Sequence, residues 1–342
     1  MNKPTILLPA EWADQSGVML TWPHEATDWA DMLDEVEGCF IAIAKAISDR
    51  EKLLIVCEDR LYLADKLKNC RTDNIIFAEF PSNDTWARDH GAITVVKDGQ
   101  PTLYDFTFNG WGLKFAANYD NQINFSLYHN GFFRHDVHYE NKQHLVLEGG
   151  SIESDGEGSL LTTRACLLSA NRNSHLTEAE IEKQLTELFG LQQVHWLSSG
   201  YLAGDDTDSH IDTLARFCNA QTIAYVKCDD ERDEHFKALL RMEQELTSFR
   251  TLKNEPYHLI PLPMAEAVFD GEMRLPATYA NFLIINNAVL VPFYNSPKDE
   301  IAKRQIKKAF PGREIIGIDC CPLIKQHGSL HCVTMQFPKG VL

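Results

Sequence analysis

The chain lacks the long apolar run that a membrane-spanning helix needs, since nothing in it approaches about 18 consecutive apolar residues. Its opening stretch, MNKPTILLPAEWADQSG, also lacks the apolar h-region of a signal peptide. Positive charge is scarce: 32 Lys and Arg against 49 Asp and Glu leave a formal net charge of −17. That balance argues against nucleic acid or an anionic membrane as partner. It suits a cationic ligand, although most acidic side chains of such a protein simply keep its surface solvated. The nine cysteines are scattered, with only Cys320 and Cys321 adjacent and no CxxC or zinc-like spacing. A disulfide framework and structural zinc are therefore not expected, and the chain reads as cytoplasmic with reduced thiols.

A linker is missing as well. No low-complexity stretch, Pro/Gly-rich hinge or charge block divides the chain, so residues 1–342 are expected to form a single domain. With 44% hydrophobic residues it can bury a large core without staples. What is present is an alternation of short β-branched and aromatic runs with longer amphipathic ones. GVMLTW (17–22), KLLIVC (52–57), HLVLEGG (144–150), HIDTLARF (210–217), NFLIINN (281–287) and SLHCVTMQ (329–336) are among the expected strands. Helices are expected over 29–49, 59–69, 177–190, 230–246 and 296–310, from three-to-four apolar spacing and Ser, Thr or Asp starts. The order points to an α/β protein that uses one unit repeatedly.

Four segments hold residues suited to chemistry. In SLHCVTMQ, strand alternation would put His331 and Cys332 on opposite faces, which makes His331 a poor base for its neighbour and a bystander. A nucleophilic Cys332 would then need a histidine from elsewhere and an environment that favours the thiolate; the plainer reading is a small buried apolar residue. GDDTDSHID, the second segment, packs four aspartates and His210 together, a repulsive arrangement unless a cation, metal or guanidinium, sits among them. Read as a strand, it sets His210 and Asp212 on one face.

In SNDTWARDHGA, Asp89 follows Trp86 by three residues, and a carboxylate beside an aromatic ring can grip a planar guanidinium. The plainer alternative is a surface loop with an internal ion pair at Arg88. In LVLEGGSIESDGEG, Glu148 ends an apolar run before a Gly-Gly pair that allows close approach of backbone or ligand. This Gly-rich stretch has neither the Lys nor the helix of a phosphate loop. SDGEG reads as a hairpin turn. Together one Cys, one His, three carboxylates and a Trp form the inventory needed to attack a guanidinium carbon.

RDHGA, LEGGSIESDGEG, GDDTDSHIDTLARF and SLHCVTMQ, in that order, resemble the signature blocks of the agmatine deiminase and bacterial peptidyl-arginine deiminase family. The resemblance runs from about Pro9 to Gln336. It implies the guanidino-group-modifying pentein fold, a five-bladed α/β-propeller of pseudo-fivefold ββαβ units. By position it implies Cys332 as nucleophile and His210 as general acid and base. Glu148 would support His210 and bind the guanidinium, and Asp89 and Asp212 would hold the guanidinium nitrogens. Trp86 matches a position near the substrate, and FNGWGLKF adds Trp111 as a pocket residue. The implied chemistry passes through a covalent thiouronium and needs no metal or organic cofactor; the family often forms homo-oligomers.

The reading that follows is an agmatine deiminase of putrescine biosynthesis, acting on a small cationic guanidino substrate. The lack of a signal peptide and of an added C-terminal domain speaks against a secreted enzyme acting on protein arginine. Deimination of peptidyl or free arginine is the alternative within the class. A metal-dependent hydrolase built on the aspartates and His210 is a more distant one, and a non-catalytic guanidine binder a third.

Overall fold

The computed structural model describes residues 5–342; the first four residues of the expected 1–342 domain, with the start of its N-terminal stretch, lie outside them. Four sheets are built the same way, from an antiparallel hairpin, a helix, and a third strand parallel to the second. The first joins Ile93–Lys97, Gln100–Thr107 and, after helix Asp120–His129, His138–Val146. Next come Ile152–Ser154, Ser159–Thr163, helix Glu178–Phe189 and Gln193–Leu197. The third uses Ala215–Asn219, Thr222–Lys227, helix Phe236–Ser248 and His258–Pro263. Leu283–Ile285, Ala288–Phe293, helix Asp299–Ala309 and Glu314–Asp319 make the fourth.

The fifth sheet has the same plan but draws on both ends of the chain. Thr334–Pro338 pairs antiparallel with Gln15–Thr21, and helix Leu33–Ser48 leads to the parallel strand Lys52–Cys57. Ile75–Glu79 extends this sheet, and Ile6–Leu7 edges the first.

Local chemistry explains these elements. Asp98 and Gly99 both have positive φ (51° and 82°), the turn a two-residue hairpin prefers. Helix Glu178–Phe189 opens on a Thr177–Glu180 capping box and stops at Gly190, φ 68°. The parallel strands KLLIVC and AVLVPF are nearly continuous apolar runs because helix and core cover both faces.

Several expectations change. Five helices belong to the repeated unit, but 59–69, shortened to Arg60–Lys66, is not one of them, since it leads to the added parallel strand Ile75–Glu79; Asp120–His129 takes that place. Its apolar stripe is only Ile123 and Leu127, with Asn124 buried beside them, so periodicity misses it. The three site-bearing strands also end or begin elsewhere than expected. HLVLEGG leaves its strand after Val146, HIDTLARF enters one only at Ala215, and SLHCVTMQ only at Thr334. The site residues lie on turns at strand ends, so face alternation governs none of them.

Phe337 in the closing strand is buried and meets Phe133 edge-on, 5.4 Å between centroids. Phe337→Ala should therefore cost about 3–5 kcal/mol of unfolding free energy in urea denaturation; a change below about 1 kcal/mol would mean that the terminal strand contributes little to stability.

Candidate active site

Cys332, His210, Glu148, Asp89 and Asp212 converge although four separate segments carry them. Asp89 lies in the short helix Ala87–His90, and Glu148 precedes a single 3-10 turn, Gly149–Ser151. His210 and Asp212 flank and occupy another, Ile211–Thr213, and Cys332 sits in the turn before Thr334. The point of convergence is Gly150. A Cβ there would lie 2.6 Å from His210 Nδ1, 2.8 Å from Asp89 Oδ1 and 3.1 Å from Asp212 Oδ2. The bare backbone instead donates its N–H to Asp89 Oδ1 at 3.0 Å, so the Gly-Gly pair keeps this spot clear.

The loop before His210 explains its crowd of aspartates. Asp205 knots it internally, accepting from Thr207 Oγ1 at 2.6 Å and Ser209 N at 2.7 Å. This holds Asp208 and Ser209 in left-handed conformations, φ 65° and 64°, a strain that functional loops tolerate when well pinned. Asp208 pairs with Arg172 at 2.6 Å and Lys114 at 2.9 Å. The cations expected among these aspartates are thus partly the protein's own. Only Asp212 keeps a buried oxygen, Oδ1, without a partner.

Glu148 is taken by Arg172, whose Nε lies 2.9 and 3.1 Å from its two oxygens. It is therefore bonded to Arg172 and not to His210, both of whose ring nitrogens are unpartnered; the expected Glu148–His210 support is absent as a hydrogen bond. Glu148, Cys166 and His210 place donor atoms within 4.8 Å of one another. That set suits a divalent ion poorly, because Arg172 already occupies the carboxylate as a cation.

Two tryptophans line the pocket. Gly110, Trp111, Gly112 and Leu113 all have positive φ, and this left-handed turn aims the Trp111 indole N–H at Asp89 Oδ2, 2.9 Å away. Trp86 donates to Asp84 Oδ2 at 2.9 Å and packs over Gly328, where any Cβ would collide with its ring. The pocket is lined by Trp86, Trp111, Asp89 and Cys332, with Phe115 and Gly328 beside them. Asp28, Asp84, Asp206, Thr207, Gln326 and His327 complete the lining.

Several neighbours were not singled out from sequence. Asn281 Oδ1 accepts from the Cys332 backbone N–H at 3.3 Å and from its thiol at 3.4 Å. Arg88, expected on a surface loop, is buried and its backbone N–H binds Cys332 O at 3.1 Å. His331 is no bystander: its Nδ1 lies 2.7 Å from Asp212 Oδ2. Arg172 sits in an ordinary polar loop, and no spacing signal marks it.

Burial dominates the electrostatics. It pushes Asp89 up to about 7, with Glu148 adding repulsion. It pushes Asp212 well above the carboxylate range, with Asp89 adding to it. The Cys332 thiol is raised by burial and then by Asp212 and Asp89, while burial and Arg172 hold His210 neutral. The pocket thus asks for a cation.

Two outcomes follow. Gly150→Ala should remove at least about 99% of turnover while leaving the circular-dichroism spectrum unchanged, since its methyl fills the convergence point. For Asp89, a folded pKa above the unfolded one means stability present at low pH and lost as pH rises from about 4 through 7. Asp89→Asn removes that loss, so its melting temperature should gain on the unsubstituted protein between pH 5 and 8. Parallel pH dependences would contradict the assignment.

Known proteins similar to this chain come from one family. A curated Marinomonas relative provisionally named agmatine deiminase is 31% identical, covering 97% of this chain and 94% of its own. A Porphyromonas gingivalis structure provisionally named arginine deiminase is 55% identical with TM-score 0.95, covering 98% of this chain and 99% of that one. Campylobacter jejuni agmatine deiminase, solved with substrate bound, is 41% identical with TM-score 0.92, covering 100% and 99%. DDAH from Pseudomonas aeruginosa, 11% identical with TM-score 0.50 over 95% and 100% of the two chains, shares the mixed α/β fold alone. Residues 7–338 match the family of Porphyromonas-type peptidyl-arginine deiminases, and the chain belongs to it.

Proposed function

We propose that this chain is an agmatine deiminase, hydrolysing agmatine to N-carbamoylputrescine and ammonium on the route to putrescine. The observation that carries the reading is the pocket's charge. Asp89 lies beside Cys332 in its lining, Asp212 adjoins Asp89, and Asp28, Asp84 and Asp206 line the rest. Among the described residues lining the pocket there is no Lys or Arg. A guanidinium suits the inner aspartates and a terminal amine the outer ones, whereas the α-carboxylate of free arginine would find no cation. Relatives named agmatine deiminase support the same substrate.

The chemistry then runs as follows. The substrate cation pairs with Asp89 and Asp212 and removes the repulsion that keeps Cys332 protonated, so its proton passes to His210. Thiolate Cys332 adds to the guanidinium carbon. Protonated His210 gives its proton to one departing nitrogen, and ammonia leaves a covalent S-alkylthiouronium. His210 next takes a proton from water as the water adds to the same carbon. Collapse of this second adduct breaks the C–S bond, forms the ureido group, and returns the cysteine. Trp111 holds Asp89 in place, and Asn281 orients Cys332. Glu148 with Arg172 supplies the wall behind His210.

The five sheets read as the blades of a pentein propeller around a pseudo-fivefold axis, in one catalytic domain. Support comes from the connection they share and from the fifth sheet, which joins the two chain ends. The nine cysteines, all free, fit a reducing cytoplasm.

Ammonia release from agmatine, arginine and a C-terminal-arginine peptide decides the substrate. Agmatine should show kcat/KM at least about a hundredfold above the other two; activity on the peptide with silence on agmatine would overturn the reading. Cys332→Ser should lose at least about a thousandfold, and chelator should leave turnover unchanged. Protonated Asp89 cannot pair with a cation, so kcat/KM should fall as pH drops below about 7.

A further inference from the structure

His331 is buried between two carboxylates. Its Nδ1 lies 2.7 Å from Asp212 Oδ2 and its Nε2 2.7 Å from Glu11 Oε2. An ionised carboxylate only accepts, so the Nδ1 contact calls for a proton shared with Asp212, while Nε2 has Arg216 Nη2 as a donor 3.0 Å away beside Glu11. A neutral ring that donates from Nδ1 can accept at Nε2 from Arg216, which binds Glu11 with the same nitrogen.

The far end of the line is anchored by cations. Glu11 Oε2 accepts from Arg216 Nη2 at 2.9 Å and stands 3.7 Å from Arg88 Nη2. Arg216 in turn pairs with Glu153 and donates to Phe282 O at 2.6 Å. Glu11 also accepts the Ile284 N–H at 2.6 Å. The charged or titratable groups facing His331 are thus Asp212, Glu11, Arg216 and Arg88, with Cys332 next in the chain. Burial, then Arg216 and Arg88, oppose a charge on the ring, and Glu11 favours it.

The consequence falls on Asp212. With Oδ2 occupied by His331, only Oδ1 remains, and that atom is buried without a partner. We propose that His331 is a positioning residue for substrate binding. By donating from Nδ1 to Asp212 Oδ2 and tethering its Nε2 to the Glu11–Arg216 pair, it fixes the carboxylate rotamer and presents Oδ1 alone to the guanidinium. This rests on the reading that Asp212 receives the substrate cation.

The test measures kcat and KM for agmatine across pH in His331→Ala and His331→Asn, since the Asn amide can replace the Nδ1–H donor but not the tie to Glu11. For His331→Ala, KM should rise about tenfold to a hundredfold, the range of a lost charge-assisted hydrogen bond. Its kcat should fall less, and the acid limb of kcat/KM should move to higher pH, because Asp212 ionises less readily without its donor. His331→Asn should recover most of the KM and the position of the limb. Equal kinetic defects in both variants with an unmoved limb would overturn the proposal, leaving His331 a packing residue. Should His331→Ala not fold, the His331→Asn profile alone decides: an acid limb unchanged from the starting enzyme supports the donor role, and KM raised as much as in Asp212→Asn refutes it. Failure of the underlying reading looks different, because Asp212→Asn would then bind agmatine normally.

Discussion

Two buried aspartates with no cation between them set the terms for the rest of the molecule. Asp89 and Asp212 approach one another around Gly150, out of water, where like charges repel and ionisation is opposed. A fold optimised only for stability would not keep such a pair. Its cost is contained because nearly every other buried charge nearby is matched. Glu148 takes Arg172, which also holds Asp208, and Asp208 reaches Lys114. On the other side Asp212 leans on His331, then Glu11 and Arg216. What the two aspartates lack is a positive charge, which is the sign of a guanidinium.

Backbone geometry serves the same end. The site groups sit on turns just outside strands, where one-residue departures from the ladder can aim a side chain freely. Gly110 and Gly112 permit the left-handed turn that points Trp111 at Asp89, while Gly150 and Gly328 make room by having no side chain. Thr334–Pro338 pairs with a strand near the other end of the chain, so Cys332, the proposed nucleophile, sits beside the contact that joins the two termini.

Much of this was legible in the sequence, and the limits are physical. Alternating apolar runs revealed most strands, and the Thr177 start with Gly190 at its end placed one helix to within a residue at either end. The resemblance of four short blocks pointed to Asp89, His210 and Asp212, which meet at Gly150, to Glu148 beside His210, and to Cys332, which lines the pocket with Asp89. Periodicity failed where it did not apply. His210 with Asp212, and His331 with Cys332, lie in turns; the first pair does meet at Gly150 as expected, though not through a strand face, while strand-face reasoning misjudged the second. It dismissed His331, which touches Asp212 directly. Arg172, Glu11 and Asn281 were invisible because their partners are distant in sequence and their local patterns are ordinary.

The claim that the substrate supplies the charge the pocket lacks predicts a proton count. Calorimetric binding of agmatine to Cys332→Ala, repeated in buffers of different ionisation enthalpy, measures it without turnover. At about pH 6 binding should release about one proton or more, as the incoming cation ionises Asp89 and Asp212. The release should shrink as pH rises past the Asp89 value of about 7. Binding with no proton release across that range would contradict the account.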